Sequence, residues 1–349
     1  LVHGGETSDA DCTCHAKARM NLEREAKAGA IARVDEEFNA LNEDAGLLDL
    51  SCRSRLCLLG EDRAKFLHGQ VTNDINNLTE HTGCYAALVN AKGKMESDLF
   101  AYRLADEILL DLEPSLTETV KARLERYIIA EDVEIADVAP HFGLLSVQGP
   151  KSKKVLEDLK LSIPKNKLDV AKGPNEEYVI NQPRLGTTGF DLFVPVGDLE
   201  NWKTRLAQHA LLCSKEAFEK ARVLSTIPRY GKDLTETNLP PEGGLETCAI
   251  SYTKGCYIGQ EIIARIRTYG QVAKALRGLK LDGPAAEGDA VFHEDKRVGT
   301  LSSVIAQPDV ALALIRREAN ELGNTLRVET KNGSITAKVA TLPFEKFEF

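Results

Sequence analysis

The residues best suited to chemistry fall in one run, Lys254-Gly-Cys256-Tyr-Ile-Gly-Gln-Glu261, followed by Ile-Ile-Ala-Arg-Ile-Arg267. Gly259 reads as the residue before a short helix. Gln260 and Glu261 fall in the helix's first turn and Arg265 and Arg267 near its end, a charge order that suits the helix dipole. Cys256 lies just upstream of the positive helix end and two residues after Lys254. Both features favour the thiolate, the form that acts as nucleophile and metal ligand. Gly255 and Gly259 flank this segment and allow a ligand close to the backbone. The competing reading of the same residues is a buried cysteine in a tight turn. Between Glu261 and Asp282 there is no acidic residue, and the stretch carries Arg265, Arg267, Lys274, Arg277 and Lys280. Such a stretch can receive an anion, for example a polyglutamate tail or a phosphate, or can be a solvated face.

The elements that must position these residues follow from patterning. Residues 47–59 have strand character, ending at Gly60, and 61–70 read as a short helix. Strands are expected at 84–89 and 97–104, joined by a Lys92-Gly93 turn, and at 108–112. Ser115-Leu-Thr-Glu118 has the spacing of a capping box, opening a helix with Leu116, Val120, Leu124, Tyr127 and Ile128 on one face. Strands at 133–138 and 143–147 precede a helix after Gly149-Pro150. Strands at 178–180 and 191–194 and helices at 199–209 and 215–224 complete an α+β pattern. Residues 229–252, rich in Gly and Pro, read as a long ordered loop of the kind that carries function. After residue 275, six short strands punctuated by Gly, Asp and Asn suggest a small β-barrel. The expected organisation is a disordered leader over 1–19, a body over 20–270 with a break near 140–150, and a barrel over 275–349. Helical patterning begins after Met20 (Leu22, Ala26, Ile31, Val34, Phe38, Leu41). Cys12-Thr-Cys14-His15 in the leader is weak ground for a metal site.

Composition narrows the class. Hydrophobic residues make up 43% and charged residues 28%, with a net charge of −9, as in a soluble globular chain of two or three domains. The acidic balance argues against a duplex-DNA binder. No apolar run exceeds six residues, against the roughly 20 a membrane helix needs. Eight cysteines are scattered without a C-x-x-C pair, which fits reduced thiols rather than a disulfide framework. No presequence is evident, so a bacterial cytoplasmic protein is expected ahead of a mitochondrial one, and a monomer is the default.

The Lys254–Glu261 run resembles the K-G-C-[FY]-x-G-Q-E signature of the YgfZ proteins, folate-binding relatives of the glycine-cleavage T-protein that act in iron–sulfur protein maturation and repair. Further segments are similar to that family: Phe66-Leu-His-Gly-Gln-Val-Thr-Asn-Asp74, Asn90-Ala-Lys-Gly-Lys-Met-Glu-Ser-Asp98-Leu, Leu144-Leu-Ser-Val-Gln-Gly-Pro150, Arg184-Leu-Gly-Thr-Thr-Gly189 and Val298-Gly-Thr-Leu-Ser-Ser303. The resemblance implies a T-protein-like, folate-binding ring of α/β subdomains with a C-terminal β-barrel. It implies Asp98 near the folate N5/N10 region, Asp191 on the pterin, and Arg222 and Tyr257 facing folate. Cys256 would be the functional thiolate, stabilised by Lys254, with Gly255, Gly259, Gln260 and Glu261 supporting the motif. The implied ligand is tetrahydrofolate, free or polyglutamylated. The implied partners are iron–sulfur assembly proteins or client enzymes sharing a cluster with Cys256. An effect on tRNA modification would pass through such enzymes without direct nucleic-acid contact. Two other readings stand beside this one: an aminomethyltransferase of glycine cleavage centred on Asp98, and a non-catalytic folate-binding regulator.

Overall fold

The computed structural model describes residues 29–341, 343 and 344. The expected leader and its Cys12/Cys14/His15 cluster lie outside the described residues. Elements are numbered in chain order. The described part of α1 spans 29–43 and buries Phe38 and Leu41, two of the residues in the helical pattern expected after Met20.

A six-stranded sheet contains β1 (Gly46–Asp49), β7 (Phe142–Gln148), β8 (Val170–Lys172), β9 (Tyr178–Ile180), β10 (Gly189–Pro195) and β11 (Leu211–Leu212), in the order β11-β1-β7-β10-β9-β8. A five-stranded antiparallel sheet contains β2 (Ser54–Leu59), β3 (Thr82–Val89), β4 (Met95–Arg103), β5 (Ile108–Leu112) and β6 (Glu134–Asp137), in the order β3-β4-β5-β2-β6. The stretch 47–59 is therefore two strands, not one. Arg53 N–H donates to the Leu50 carbonyl, and Asp49 Oδ1 accepts from Ser51 N–H. This turn carries the chain from one sheet into the other.

Helices cover the outer faces of both sheets. α2 (Arg63–Gln70) and α3 (Thr117–Glu125) bury Phe66, Leu67, Val120 and Leu124 against Leu56, Leu58, Leu88 and Leu99. α4 (Ser152–Asp158) and α5 (Leu199–Leu206) bury Val155, Leu156, Trp202 and Leu206 against Leu145, Val147, Leu192 and Val194. The inner faces meet each other, with Cys57, Tyr102 and Leu109 packed in one core with Leu144 and Phe193, to which α6 (Lys215–Leu224) adds Ala217 and Ala221. Strand alternation decides what enters that layer. In β10, Leu192 and Val194 point out, while Phe193 and Asp191 point in, and Asp191 pairs in register with Ser146.

The capping box does not form. Ser115 has φ 67°, and α3 starts at Thr117 after Leu116. The cap is tertiary instead: Ser54 Oγ accepts from the Leu116 and Thr117 N–H groups at 3.0 and 3.1 Å, satisfying helix-start donors that a local serine would otherwise meet.

After α7 (Gln260–Tyr269), six strands close into a barrel: β12 (Lys274–Leu281), β13 (Ala290–His293), β14 (Lys296–Ala306), β15 (Asp309–Arg316), β16 (Thr325–Thr330) and β17 (Gly333–Ala340). Leu279, Val291, Leu301, Ala313, Val328 and Val339 fill it. Among the described residues, no helix is long and apolar enough to cross a membrane.

Candidate functional site

Asp98 lies on β4, opposite Ala87 of β3, so Tyr85 is its diagonal neighbour on the same face. The Tyr85 hydroxyl donates to Asp98 Oδ2 at 2.6 Å. No other side chain among the described residues bonds this carboxyl. Asp98 is 8% exposed. Burial pushes its pKa up to about 7; repulsion from Glu113 adds to this, while the Tyr85 hydrogen bond and Arg53 oppose it. Asp98 thus exchanges a proton in the range where a general acid or base works best.

Beside Asp98, a chain of alternating charge starts at Glu113 and runs through the layer between the sheets. Arg53 Nη1 donates to Glu113 at 2.6 Å and Arg53 Nε to Asp111 at 2.7 Å. Arg184 Nη2 donates to the other Asp111 oxygen at 2.6 Å. Arg184 also grips both oxygens of Asp191 at 2.5–3.1 Å. Burial raises the Asp111 carboxyl, but Arg53 and Arg184 outweigh it and hold it below the usual carboxylate range.

The ordered loop 229–252 closes over the Asp98 end. Arg229 Nε comes within 3.4 Å of Glu113. Asn73 Nδ2 donates to the carbonyls of Tyr85 and Cys248, at 2.8 and 3.4 Å. The Tyr230 phenol is pushed up to about 12, first by burial and then by Glu236, Asp98 and Glu96.

Cys256 is exposed on a short loop fixed at both ends. At one end, Lys254 Nζ donates to the carbonyls of His68, Val71 and Asn73, the last two at 2.7 and 2.9 Å. At the other, Ile258 N–H donates to the Gly69 carbonyl at 3.2 Å. Gly259 has φ 82°, and a Cβ there would lie 2.4 Å from the Asn90 carbonyl, so only glycine seats the loop on the β3–β4 turn. His68 flanks the loop: its Nδ1 is 3.3 Å from Asp74, and burial and then Lys254 hold its pKa below the ordinary value. The Cys256 thiol therefore stands out from a rigid base, and the competing reading of a buried cysteine is not what the fold produces.

Several residues singled out from the sequence do other work. All three Lys254 donors are spent on backbone carbonyls, so it staples the loop instead of stabilising a thiolate. Burial lowers its pKa to about 8. Tyr257 faces inward, 8% exposed, in a core with Ala87, Val89, Met95 and Ile263, and does not line a ligand surface. Asp191 is fully buried and its oxygens belong to Arg184, so no pterin can reach it in this conformation. Arg222 is 3% exposed and saturated. Its donors reach Glu219, the Ile227 carbonyl, Asp233 and Ser303 of β14, tying α6 to the barrel. A Cβ on Gly255 would meet nothing nearer than His68 Nε2, at 3.6 Å, so steric room does not demand glycine there. Gln260 opens α7, and Glu261 is a surface residue paired with Arg265 at 2.9 Å. The basic stretch disperses: Arg267 stacks over Tyr252 and Arg277 bonds backbone carbonyls. Among the described residues, no cluster of His, Cys, Asp and Glu is arranged to hold a metal.

Two family profiles cover most of the chain. Residues 16–254 match the GCVT N-terminal domain, and residues 274–346 match the glycine cleavage T-protein C-terminal barrel domain. The chain belongs to the glycine cleavage T-protein family. A chloroplastic putative transferase of Arabidopsis thaliana is 30% identical over 322 residues, covering 88% of this chain and 74% of that protein. An aminomethyltransferase of Staphylococcus haemolyticus is 28% identical over 321 residues, covering 88% of each. The fold is that of the crystal structure of glycine cleavage system aminomethyltransferase T from Bartonella henselae, with a TM-score of 0.83 at 21% identity over 90% of each chain. The expected architecture, a T-protein-like α/β body with a closed C-terminal barrel, is thus the observed one.

Within this T-protein fold, sequence reasoning missed Tyr85, Arg53, Asp111 and Glu113. One local signal was available: Asp111 and Glu113 are two residues apart and so share a strand face. Their bonded partners Arg53 and Arg184 lie 58 to 73 residues away, and Arg229 lies farther still, so they leave no local trace.

Proposed function

We propose that the protein is a YgfZ-type member of the T-protein family, a tetrahydrofolate-binding factor that serves assembly or repair of iron–sulfur proteins through Cys256. The observation that carries this is an exposed thiol on a loop held rigid by Lys254, Ile258 and Gly259. Soft thiolates suit iron–sulfur centres. A cluster needs about four ligands, so a partner protein supplies the others and the cluster is cargo, not a resident group. Folate fits this chain through Asp98. Its carboxyl keeps acceptor capacity for a folate amine after bonding Tyr85, whereas the oxygens of Asp191 and the N–H donors of Arg222 are already engaged. Tetrahydrofolate, when bound, supplies a one-carbon carrier. Asp98 orients its amine or holds a proton beside it.

The test combines two measurements. Calorimetric titration with tetrahydrofolate should show binding that Asp98→Asn weakens. In a strain lacking the gene, Cys256→Ser should fail to restore iron–sulfur enzyme activity. No folate binding together with full rescue by Cys256→Ser overturns the reading.

The Asp98 carboxyl, titrating at about 7, favours a second reading, an aminomethyltransferase. Tetrahydrofolate-dependent ammonia release from an aminomethylated carrier protein, lost in Asp98→Asn, would establish it. In a non-catalytic folate-binding regulator, by contrast, Cys256→Ser would rescue fully while folate binding persisted.

A further inference from the structure

A cavity of about 520 Å³ separates the Lys232–Asn238 loop from barrel strands β14 and β15, within the range of small-molecule sites. Four cations line it: Lys232, Lys274, Arg297 and Arg316. Their commitments differ. Lys232 is held by Glu219 and Glu287, at 2.6 and 2.7 Å. Arg297 donates to the Thr300 hydroxyl. Neither Arg297 nor Arg316 is ion-paired with a carboxylate among the described residues. Lys274 comes no nearer than 3.9 Å to Glu242, whose Oε2 already accepts from Asn238 Nδ2 and Leu239 N–H. The one acid lining the cavity, Asp233, is 2% exposed, and Arg222, Ser302 and Ser303 engage its oxygens.

The register sharpens this. Lys274 and Arg316 are directly opposed across the antiparallel pair β12–β15, and like charges in that position repel. Both also line a neighbouring cavity of about 740 Å³, together with Arg317 and with Glu318, which Lys296 holds at 2.7 Å and Arg316 also attracts. The fold therefore holds three cations, Lys274, Arg297 and Arg316, around one space, and the acids nearby are shared: Glu242 stands 3.9 Å from Lys274 and bonds the 238–239 turn, and Glu318 is paired with Lys296. A single carboxylate cannot balance them, whereas a diphosphate can. Arginine forks suit phosphate oxygens in paired contacts.

We propose that this cleft is a second binding site, separate from Asp98, for the di- or triphosphate group of a small ligand. Lys274, Arg297 and Arg316 bind the phosphates, and the cavity has room for an organic moiety attached to them.

The test is calorimetric titration of the full chain at fixed salt with inorganic pyrophosphate, ADP and a triglutamate peptide. Pyrophosphate should bind at a single site, and Arg316→Gln and Arg297→Gln should each weaken it by about tenfold. Both residues are exposed on strands, so unchanged melting temperatures will confirm intact folds, and tetrahydrofolate affinity should stay within about twofold. ADP binding much tighter than pyrophosphate identifies a nucleotide as the source, and equal affinities identify the phosphate group alone. Absence of saturable pyrophosphate and ADP binding overturns the proposal, as does binding indifferent to both substitutions. Triglutamate binding without pyrophosphate binding overturns it in favour of a polycarboxylate.

Discussion

At one end of the inter-sheet charge chain, Asp191 is fully buried and gives both oxygens to Arg184. Beyond the other end, next to Glu113, Asp98 is 8% exposed, and among the described residues the one side chain bonded to its carboxyl is Tyr85. Both carboxyls sit on inner strand faces and both were expected to touch folate. The difference is the cation. Burial raises the proton affinity of both carboxyls, and at Asp191 Arg184 offsets it only in part. A buried carboxyl clamped by arginine becomes structure because its lone pairs are filled, whereas one without such a clamp keeps a free acceptor. The Cys256 loop repeats the lesson with the roles reversed: Lys254 is consumed by the scaffold and the neighbouring thiol is left available.

The sharpest way to break this comparison is to remove the clamp. Arg184→Met leaves Asp191 and Asp111 buried beside an apolar side chain and should cost about 3–5 kcal/mol in urea unfolding. A loss below about 1 kcal/mol would mean that Asp191 is not structurally committed. Next in size, Lys254→Met strands three backbone carbonyls and should cost roughly 2–4 kcal/mol. Native alkylation of Cys256 should persist in the folded fraction, since the lysine does not serve the sulfur.

Asp98→Asn tests the other end through pH. An unfolded aspartate has a pKa near 4, and Asp98 in the fold is raised to about 7. Between those values the folded state binds more protons, so Asp98 lowers stability as pH climbs from about 4 to 7. Asn, which can still accept from Tyr85, should therefore raise stability by up to about 4 kcal/mol at pH 8 and change it little at pH 4. Thermal melts at both values decide it, and a pH-independent effect would remove Asp98 from the titrating end. The smallest effect belongs to Cys256→Ser, which should shift stability by less than about 0.5 kcal/mol while abolishing that site's alkylation. A larger loss would show the thiol packing rather than waiting.

Strand and helix placement was legible because it rests on local periodicity and turn residues. The strand over 108–112, the helix over 215–224 and the barrel strands fall where patterning put them. The cap of α3 was not, because Ser54, 62 residues away, displaced the local serine. The Cys256 motif was legible as a motif, and its glycine at 259 proved sterically required.

The sequence alone thus determined the elements, the barrel and the run around Cys256, since each depends on neighbours a few residues apart. Which charged side chains remain free was decided only by the tertiary structure. Arg184, Arg222 and Lys254 look alike as isolated cations in a sequence. Their availability depends on partners brought from distant strands and loops, and on whether burial makes those partners obligatory.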